Sequence, residues 1–316
     1  MPELDLLVLG DINPDVIVSD PELVIEFDQV EETVDHAALV LGGSAAITAV
    51  GAARLGLRVG ICGVVGDDDT GSLLLTRLRA EGVDVSGVRV STDHPTGLSV
   101  ILHRDGDRAI LTMPGTVAAL SPEDLAQLPD QMARHVHVAS YFLMSEAYRS
   151  ALPDFLKHQR DRGTGTSVDT NWDPEQRWNI DQVLRECDWY FPNERELGAS
   201  TGSPLLERSL DVLADFGCNL AVKRGKNGGV ARGGDCTYRV VRTPSVEFVD
   251  AVGAGDTFNA AFLAGRLSGR EVGASLAMAV AAGTLSTAAA GGTAGQPNLD
   301  DLLLWSERLP IEKDCS

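Results

Sequence analysis

The chain has 316 residues, of which 44% are hydrophobic and 23% charged, and its formal net charge is -20. This composition predicts a globular protein with one large α/β domain, or a domain with a smaller appendage. The acidic balance argues against nucleic acid or an anionic membrane as a partner, because either would require a basic surface.

The cysteines and the N-terminal residues predict a cytoplasmic protein. The five cysteines are scattered and show no CxxC spacing, which predicts free thiols and argues against a cysteine zinc site. The chain passes from "MPE" directly into "LDLLVLG", so no signal peptide is expected. No apolar run reaches the length of a membrane-spanning helix.

Buried strands alternate with helices along most of the chain. The first elements are a strand in "LDLLVLG", a helix in 42–56, a strand at 59–66 and an amphipathic helix at 69–82 that Gly82 closes. Later strands are expected in "HVHVAS", "GTSVDTN", "WYFPN" and "LAVKRGKNGGV", and later helices near 145–162, 179–186, 256–268 and 271–290. This alternation predicts right-handed βαβ units and a mostly parallel sheet.

Two segments depart from the alternation. Residues 12–40 mix short apolar pieces with acids, and residues 96–113 contain two β-prone runs around "RDGDR", a hairpin signal centred on Asp105-Gly106. We expect them to pair into a small second sheet that forms a lid over the carboxyl ends of the main strands. The predicted domains are a core of residues 1–11, 41–94 and 114–316 and a lid of residues 12–40 and 95–113.

Polar and glycine clusters recur where the parallel strands should end. They are Asn13/Asp15, Gly42-Gly43, Asp169/Asn171, Asn193/Glu196, Gly225/Gly228 and Gly253–Asp256. Ligands of open α/β sheets bind at the carboxyl ends of the strands, so the clusters predict one extended cleft.

The most informative segment is "DAVGAGDTFNAAFLAG", residues 250–265, where Gly253, Ala254 and Gly255 precede Asp256 at a predicted helix start. Small residues expose the main-chain amides, and a helix N-terminus attracts anions. An ordinary capping role for Asp256 or Thr257 is the alternative. The surplus of small residues favours an anion hole for a phosphoryl group, with Asp256 as the base that accepts a hydroxyl proton.

This segment closely resembles the C-terminal signature of the ribokinase-like, or PfkB, carbohydrate kinases. Further stretches resemble family landmarks in the family's order, and the resemblance spans roughly residues 4 to 297: "LVLGDINPDVIV", "LGGSAAITAVGAARLG", "VGDDDTGSLLLTRLRAEGVDV", "FPNERELGAST" and "AVKRGKNGG". It implies a three-layer α/β/α fold with a mostly parallel central sheet and a small β-sheet lid. It also implies ATP-dependent phosphorylation of a sugar or nucleoside hydroxyl.

The resemblance also implies roles for individual residues. Asp256 matches the catalytic base, and Gly253, Ala254 and Gly255 match the anion hole. On the nucleotide side, the matching residues are Asn193 and Glu196, which would organise Mg²⁺ largely through water, and Gly225 and Gly228, which would approach the phosphates. A helix N-cap is the alternative for Asn193 and Glu196. Lys223 would offset phosphate charge, unless it is an ordinary surface lysine.

The acceptor side rests on Asn13, Asp15, Gly42 and Gly43. Asp15 matches an acid that accepts hydrogen bonds from vicinal hydroxyls, with an Asx turn as the alternative. The glycine pair would let the backbone approach a sugar, or would simply start a helix. Two departures stand out. Ile47 occupies the place of a sugar-binding Asn, and Ala251 replaces the usual Thr after Asp250, a candidate for binding K⁺.

The favoured function is therefore an ATP-dependent carbohydrate kinase that uses Mg²⁺, with K⁺ as an option. The alternatives are a nucleoside kinase of the same family and, in a different class, a non-catalytic nucleotide-binding regulator that would not need Asp256. A NAD-dependent oxidoreductase is disfavoured because "LVLGDINPD" lacks GxGxxG. The expected partners are a small sugar or nucleoside and a second copy of the chain paired through the lid.

Overall fold

The computed structural model describes residues 3–104 and 107–315, and its strands form two separate sheets. In chain order the strands are β1 (Leu4–Leu9), β2 (Asn13–Ser19), β3 (His36–Gly42), β4 (Val59–Gly66), β5 (Asp84–Ser91), β6 (Leu98–Arg104), β7 (Asp107–Met113), β8 (Ala133–Val138), β9 (Gly165–Val168), β10 (Trp189–Tyr190), β11 (Asn219–Lys223), β12 (Gly229–Gly233), β13 (Cys236–Val240) and β14 (Glu312–Cys315).

The large sheet has ten strands in the order β14-β13-β12-β11-β10-β9-β8-β1-β4-β5. The strands from β11 to β5 run parallel to one another, and β12, β13 and β14 add an antiparallel edge. The expected mostly parallel sheet is therefore present. The interior strand β1 lies between β8 and β4, so the residues after Leu9 lie at the carboxyl edge of the sheet with a parallel strand on each side.

The small sheet has four strands in the order β3-β2-β6-β7. The strand β2 pairs with β3 antiparallel and with β6 parallel, and β6 pairs with β7 antiparallel. These strands come from the two segments that depart from the helix–strand alternation. The predicted hairpin tip at Asp105-Gly106 lies outside the described residues.

The helices cover both faces of the large sheet. In chain order they are α1 (Ser44–Arg54), α2 (Asp69–Ala80), α3 (Pro122–Ala126), α4 (Glu146–Arg160), α5 (Asp181–Leu184), α6 (Glu194–Thr201), α7 (Leu206–Ala214), α8 (Ala254–Leu267), α9 (Val272–Leu285) and α10 (Leu299–Ser306). The last long helix ends at Leu285 rather than near residue 290, and a 3₁₀ turn over Ser286–Ala288 follows it. No helix in residues 3–104 and 107–315 is long and apolar enough to cross a membrane.

The alternation of side chains along β1 divides the core into two layers. Leu6 and Val8 pack on the face covered by α1, α8 and α9, whereas Leu7 and Leu9 pack on the face covered by α4. All four side chains are buried. Together with the sheet, the two helix layers make the expected three-layer α/β/α arrangement.

The prediction that all cysteines are free thiols is wrong for one pair. Cys236 on β13 forms a disulfide with Cys315 on β14. The register of the two antiparallel strands places the two residues directly opposite each other, although 79 positions separate them in the sequence. Cys62, Cys187 and Cys218 are buried free thiols, as expected.

Candidate active site

Two cavities lie on either side of the start of α8. The first, which we call the lid cavity, has a volume of about 270 Å³ and lies between the small sheet and the carboxyl end of β1. The following residues line it: Asp11, Asn13, Asp15, Gly43, Ser44, Ile47, Ser99, Ile101, Ile110, Thr112, Val117, Leu143, Asn171, Ala251, Val252, Gly253 and Asp256. Strands β2, β6 and β7 of the small sheet therefore contribute to it, together with the loops that follow β1 and β9 of the large sheet and the first turn of α8.

The second cavity, which we call the helix cavity, has a volume of about 390 Å³ and is bordered by α8, α9 and the end of β11. Lys223, Gly225 and Gly228 line one side of it, and Ala254 and Gly255 line another. Its remaining walls are largely apolar and include Val246, Phe248, Phe258 and Val280. Both cavities reach Ala251 and the start of α8, so a group in one can approach a group in the other at this helix end.

The start of α8 exposes its main-chain amides. Gly253 is the N-cap and has a φ of 71°, and no side chain in the described structure caps this helix end. A Cβ atom on Gly253 would lie 2.6 Å from the Cα atom of Gly292, so the close approach of the 291–292 loop requires glycine here. Gly283 of α9 makes a similar approach to the Ala254 carbonyl. The small residues thus serve packing as well as amide exposure.

Asp256 lies in the first turn of α8 and lines the lid cavity. Burial raises the pKa of its carboxyl well above the ordinary value, and the negative charge of Asp169 raises it further. The Lys223 ammonium and the nearby Ser44 hydroxyl partly counteract this rise, and the side-chain amide of Asn171 donates to the Ser44 oxygen over 2.8 Å. A carboxyl group with a raised pKa, held in place and facing a cavity, is suited to accepting a proton.

Asp15, on β2, is the second carboxylate in the lid cavity. The side-chain amide of Asn13 donates to it over 3.2 Å. Burial raises the pKa of Asp15 to about 7, and the charges of Asp11 and Asp250 add to the effect. A Cβ atom on Gly42 would overlap the Asp15 carboxylate, so this glycine leaves room for the acid. Gly42 therefore leaves room for Asp15 at the end of β3, and Gly43 lines the cavity as the N-cap of α1.

The Asp15→Asn variant is expected to be more stable than the wild type at pH 8. The folded state raises the pKa of Asp15 from 3.8 to about 7, so the wild type loses stability as the pH rises through this range. A shift of this size corresponds to at most about 4 kcal/mol of unfolding free energy. Denaturant unfolding at pH 8 and pH 5 should show a gain at pH 8 that falls to less than half at pH 5. Equal stabilities at pH 8 would contradict a buried, ionised Asp15.

Lys223 is not a surface lysine, because its side chain is only 13% exposed. Its ammonium lies 2.5 Å from a carboxylate oxygen of Asp169, which also accepts from the side chain of Asn259 over 2.6 Å. Burial opposes the charge on Lys223, but Asp169 and then Glu196 raise its pKa above the ordinary value. A Cβ atom on Gly255 would lie 3.6 Å from the Lys223 ammonium. The lysine is therefore a charged group beside the open amides of α8.

Asn193 and Glu196 form a capping box at the start of α6. The Asn193 side chain accepts from the Glu196 amide, and the Glu196 carboxylate accepts from the Asn193 amide, both over 2.8 Å. This is the helix-cap alternative for the pair, and it uses one oxygen of each side chain. Burial raises the pKa of Glu196, while the nearby Lys223 ammonium counteracts this shift. The second carboxylate oxygen of Glu196 is not used by the capping box.

The remaining predicted residues have the following positions. Gly225 and Gly228, with φ values of 52° and 80°, border the helix cavity on the turn between β11 and β12. Asp250 is buried, and its carboxylate accepts from the amides of Val252 and Gly291 over 3.0 and 2.8 Å. The His103 ring of β6 lies 3.8 Å from the same carboxylate, so Asp250 joins the small sheet to the loop before α8.

Sequence reasoning missed several residues that the structure brings to the site. Asn259 donates to Asp169, Ser44 lies near Asp256, and Gly292 packs against Gly253. Asn259 offered a signal, because it is a polar residue inside the otherwise small and apolar helical run "FNAAFLAG". Ser44 and Gly292 offered none, since each acts only through a contact with a distant part of the chain.

Comparison with known proteins identifies the family. The model of the pfkB family of carbohydrate kinases matches residues 3–299. The chain belongs to this family. The predicted family, the fold class and the class of enzyme, a carbohydrate kinase, are confirmed.

Individual relatives of this kinase agree with that assignment. The chain is 33% identical over 274 residues to the ATP-dependent ribose-1-phosphate kinase of Halopiger xanaduensis, covering 84% of this chain and 87% of the relative. It is 30% identical over 265 residues to the ribokinase of Bacillus subtilis, covering 83% and 86%. An E. coli protein assigned as a ribokinase II, solved with ATP and Mg²⁺, superimposes with a TM-score of 0.84 at 26% identity, covering 96% of this chain and 99% of that one.

Proposed function

We propose that this kinase transfers the γ-phosphoryl group of ATP to a hydroxyl of a sugar, free or within a nucleoside. The observation that carries the proposal is the position of Asp256 beside the uncapped amides of α8, where the lid cavity and the helix cavity meet. Asp256 acts as the general base that takes the hydroxyl proton. The amides of Gly253, Ala254 and Gly255 act as the anion hole that stabilises the transferring phosphoryl group.

The acceptor occupies the lid cavity in this proposal. Asn13 and Asp15 bind its hydroxyls, because two hydroxyls can donate to one carboxylate at the same time. Gly42 and Gly43 keep this end of the cavity open. The segments 12–40 and 95–113 act as a lid domain, since strands of the small sheet form one wall of the cavity. A lid that covers the acceptor would exclude water and limit ATP hydrolysis.

The nucleotide occupies the helix cavity in this proposal. Gly225 and Gly228 allow the turn after β11 to approach the phosphates, and the apolar walls suit the base. Lys223 then lies beside the phosphoryl group bound at Gly255 and offsets its charge. The regulator alternative leaves Asp256 without a task, so we favour the enzyme.

Mg²⁺ is the expected ion on the nucleotide side, as in the E. coli relative solved with ATP and Mg²⁺. Among the described residues no group of three or more acidic, His or Cys side chains is arranged to hold a metal directly. The residues present fit an ion that is held by the phosphates and by water. The unused carboxylate oxygen of Glu196 would accept from a water ligand, and the capping box with Asn193 fixes its position. The ion would neutralise developing charge on the phosphates.

K⁺ binding near Asp250 receives less support from the geometry. The Asp250 carboxylate already accepts two main-chain amides and faces the His103 ring. Its evident task is to shape the loop before α8. Binding of K⁺ at this loop therefore stays a prediction. A comparison of turnover in KCl and in NaCl tests it.

A homodimer through the lid is also part of the proposal. The small sheet exposes apolar side chains, among them Leu39 and Leu111, which are 42% and 61% exposed. The edge strands β3 and β7 leave main-chain groups free for pairing. Sedimentation of the wild type and a Leu111→Glu variant tests it. We place the enzyme in the cytoplasm, where ATP is available.

A screen of ATP consumption with Mg²⁺ over pentoses, hexoses, keto-acid sugars and nucleosides tests the proposed function. We expect ADP formation that depends on an acceptor and yields a phosphorylated acceptor detectable by mass spectrometry. ATP binding without transfer to any acceptor would instead support the regulator alternative.

A further inference from the structure

The charged side chains that line the lid cavity are all acidic within the described part of the chain. They are Asp11, Asp15 and Asp256, and no Lys or Arg accompanies them. Hydroxyl groups can donate to these carboxylates, so a polyol suits this end of the cavity. A phosphate or carboxylate on the acceptor would meet carboxylates in a partly buried space, with no counter-charge among the described lining residues, which is strongly unfavourable.

Two arginines near the small sheet are engaged elsewhere. The Arg77 guanidinium donates to the Leu39 carbonyl over 3.0 Å, and the Arg104 guanidinium donates to the Leu23 carbonyl over 3.1 Å. Lys223 lines the helix cavity and pairs with Asp169. None of these three residues lines the lid cavity, so none of them places a positive charge on its wall.

The lid cavity also has apolar lining residues. Its lining includes Ile47, Ile101, Ile110, Val117 and Leu143. These side chains cannot bind hydroxyls, and they gain free energy by covering an apolar surface of a ligand. A small polyol with hydroxyls on all sides would leave some of them facing this wall without partners.

The structure accommodates Ile47 specifically. The side chain is only 3% exposed and packs between the start of α8 and the 291–292 loop. A Cβ atom on Gly253 would lie 3.0 Å from Ile47 Cγ2, and one on Gly292 would lie 2.7 Å from Ile47 Cγ1. Gly253 and Gly292 thus make room for the branched side chain of Ile47, at the position where the family resemblance implies a sugar-binding Asn.

We infer that the acceptor is an uncharged compound with one hydroxyl-bearing edge and one apolar face, of which a nucleoside is the fitting class. The hydroxyl edge contacts Asp15 and Asp256, and the apolar face packs against Ile47 and its neighbours. Sugar phosphates and keto-acid sugars are poor acceptors, which separates this kinase from its ribose-1-phosphate kinase relative. The inference rests on the proposed function and narrows its substrate class.

The test measures kcat/KM of the full-length protein with Mg²⁺-ATP for adenosine, inosine, cytidine, ribose, ribose 1-phosphate and 2-keto-3-deoxygluconate. We expect the best nucleoside to exceed ribose at least about tenfold and both anionic acceptors at least about a hundredfold. An anionic acceptor that equals or exceeds every nucleoside would overturn the inference but leave the proposed function intact. Failure of all acceptors, with no product formed, would remove both.

The Ile47→Asn variant tests the role of the apolar wall. We expect it to lower the nucleoside-to-ribose ratio of kcat/KM at least about tenfold, because an amide can bind hydroxyls and no longer covers an apolar face. The matched Ile47→Val variant keeps the wall apolar and should keep the ratio within about threefold. Unfolding curves of both variants separate a change in specificity from a loss of fold. An unchanged ratio in a folded Ile47→Asn variant would contradict the role of Ile47.

Arg108 provides a further check, because its side chain lies outside the described structure. The Arg108→Ala variant should leave the order of acceptors unchanged. If the wild type prefers ribose 1-phosphate and this variant loses that preference, the inference is wrong and Arg108 supplies the missing charge.

Discussion

Replacing Asp256 by Asn is expected to lower kcat at least about a hundredfold, the usual scale for the loss of a general base. The amide has the shape of the carboxyl group but cannot accept the hydroxyl proton. Binding of ATP should change by less than about threefold, because the amides of Gly253–Asp256 and the helix cavity remain intact. Steady-state kinetics and calorimetric titration with ATP measure the two quantities.

The matched control for this variant is Asp69→Asn. Asp69 also lies in the first turn of a helix, α2, but it lines neither cavity. The Asp69→Asn variant should therefore keep full activity. This control separates the general effect of removing a negative charge at a helix start from the loss of the proposed base. Normal turnover by a folded Asp256→Asn variant would show that another group accepts the proton.

The Lys223→Met variant should lose both stability and nucleotide affinity. Without the ammonium, Asp169 remains as an unpaired buried charge, and breaking a buried ion pair in this way costs about 3–5 kcal/mol. The loss of a charged donor beside the phosphates should raise the KM for ATP about tenfold to a hundredfold. Denaturant unfolding and initial rates over a range of ATP concentrations measure the two effects.

A double variant, Lys223→Met with Asp169→Asn, distinguishes the two roles of the lysine. It removes the unpaired charge and keeps an oxygen that can accept from Asn259, so most of the stability should return. The KM for ATP should stay high, because the positive charge is still absent. Recovery of ATP affinity together with stability would mean that Lys223 acts only on the fold.

The alternation of elements made most of the fold predictable from the sequence. Apolar runs such as "LDLLVLG" and "VGICGVVG" are typical of buried parallel strands, and β1 and β4 indeed lie side by side in the sheet. The same local reasoning identified α8, whose first turn carries the glycines and Asp256 in adjacent positions. Features that lie within one short segment can be predicted because the residues that create them are neighbours in the chain.

Features that depend on distant contacts could not be predicted in this way. The spacing of Cys236 and Cys315 does not indicate a bond, because only the pairing of β13 with β14 brings them together. From the sequence, Lys223 could equally be a surface lysine or a group that offsets phosphate charge. The structure shows that it is largely buried and paired with Asp169. The packing of Ile47 could not be predicted for the same reason, because its neighbour Gly292 lies far along the chain.

The lid cavity is built from residues that are synthesised at very different times. Its walls include Asp11, which leaves the ribosome long before Gly253 and Asp256, the residues that complete them. A nascent chain that lacks α8 has the acids proposed to bind hydroxyls, but it has neither the proposed anion hole nor the proposed base. If the proposed roles are correct, a polypeptide that lacks α8 cannot hydrolyse ATP at this site, and catalysis begins only when α8 has packed beside the strands that are made first.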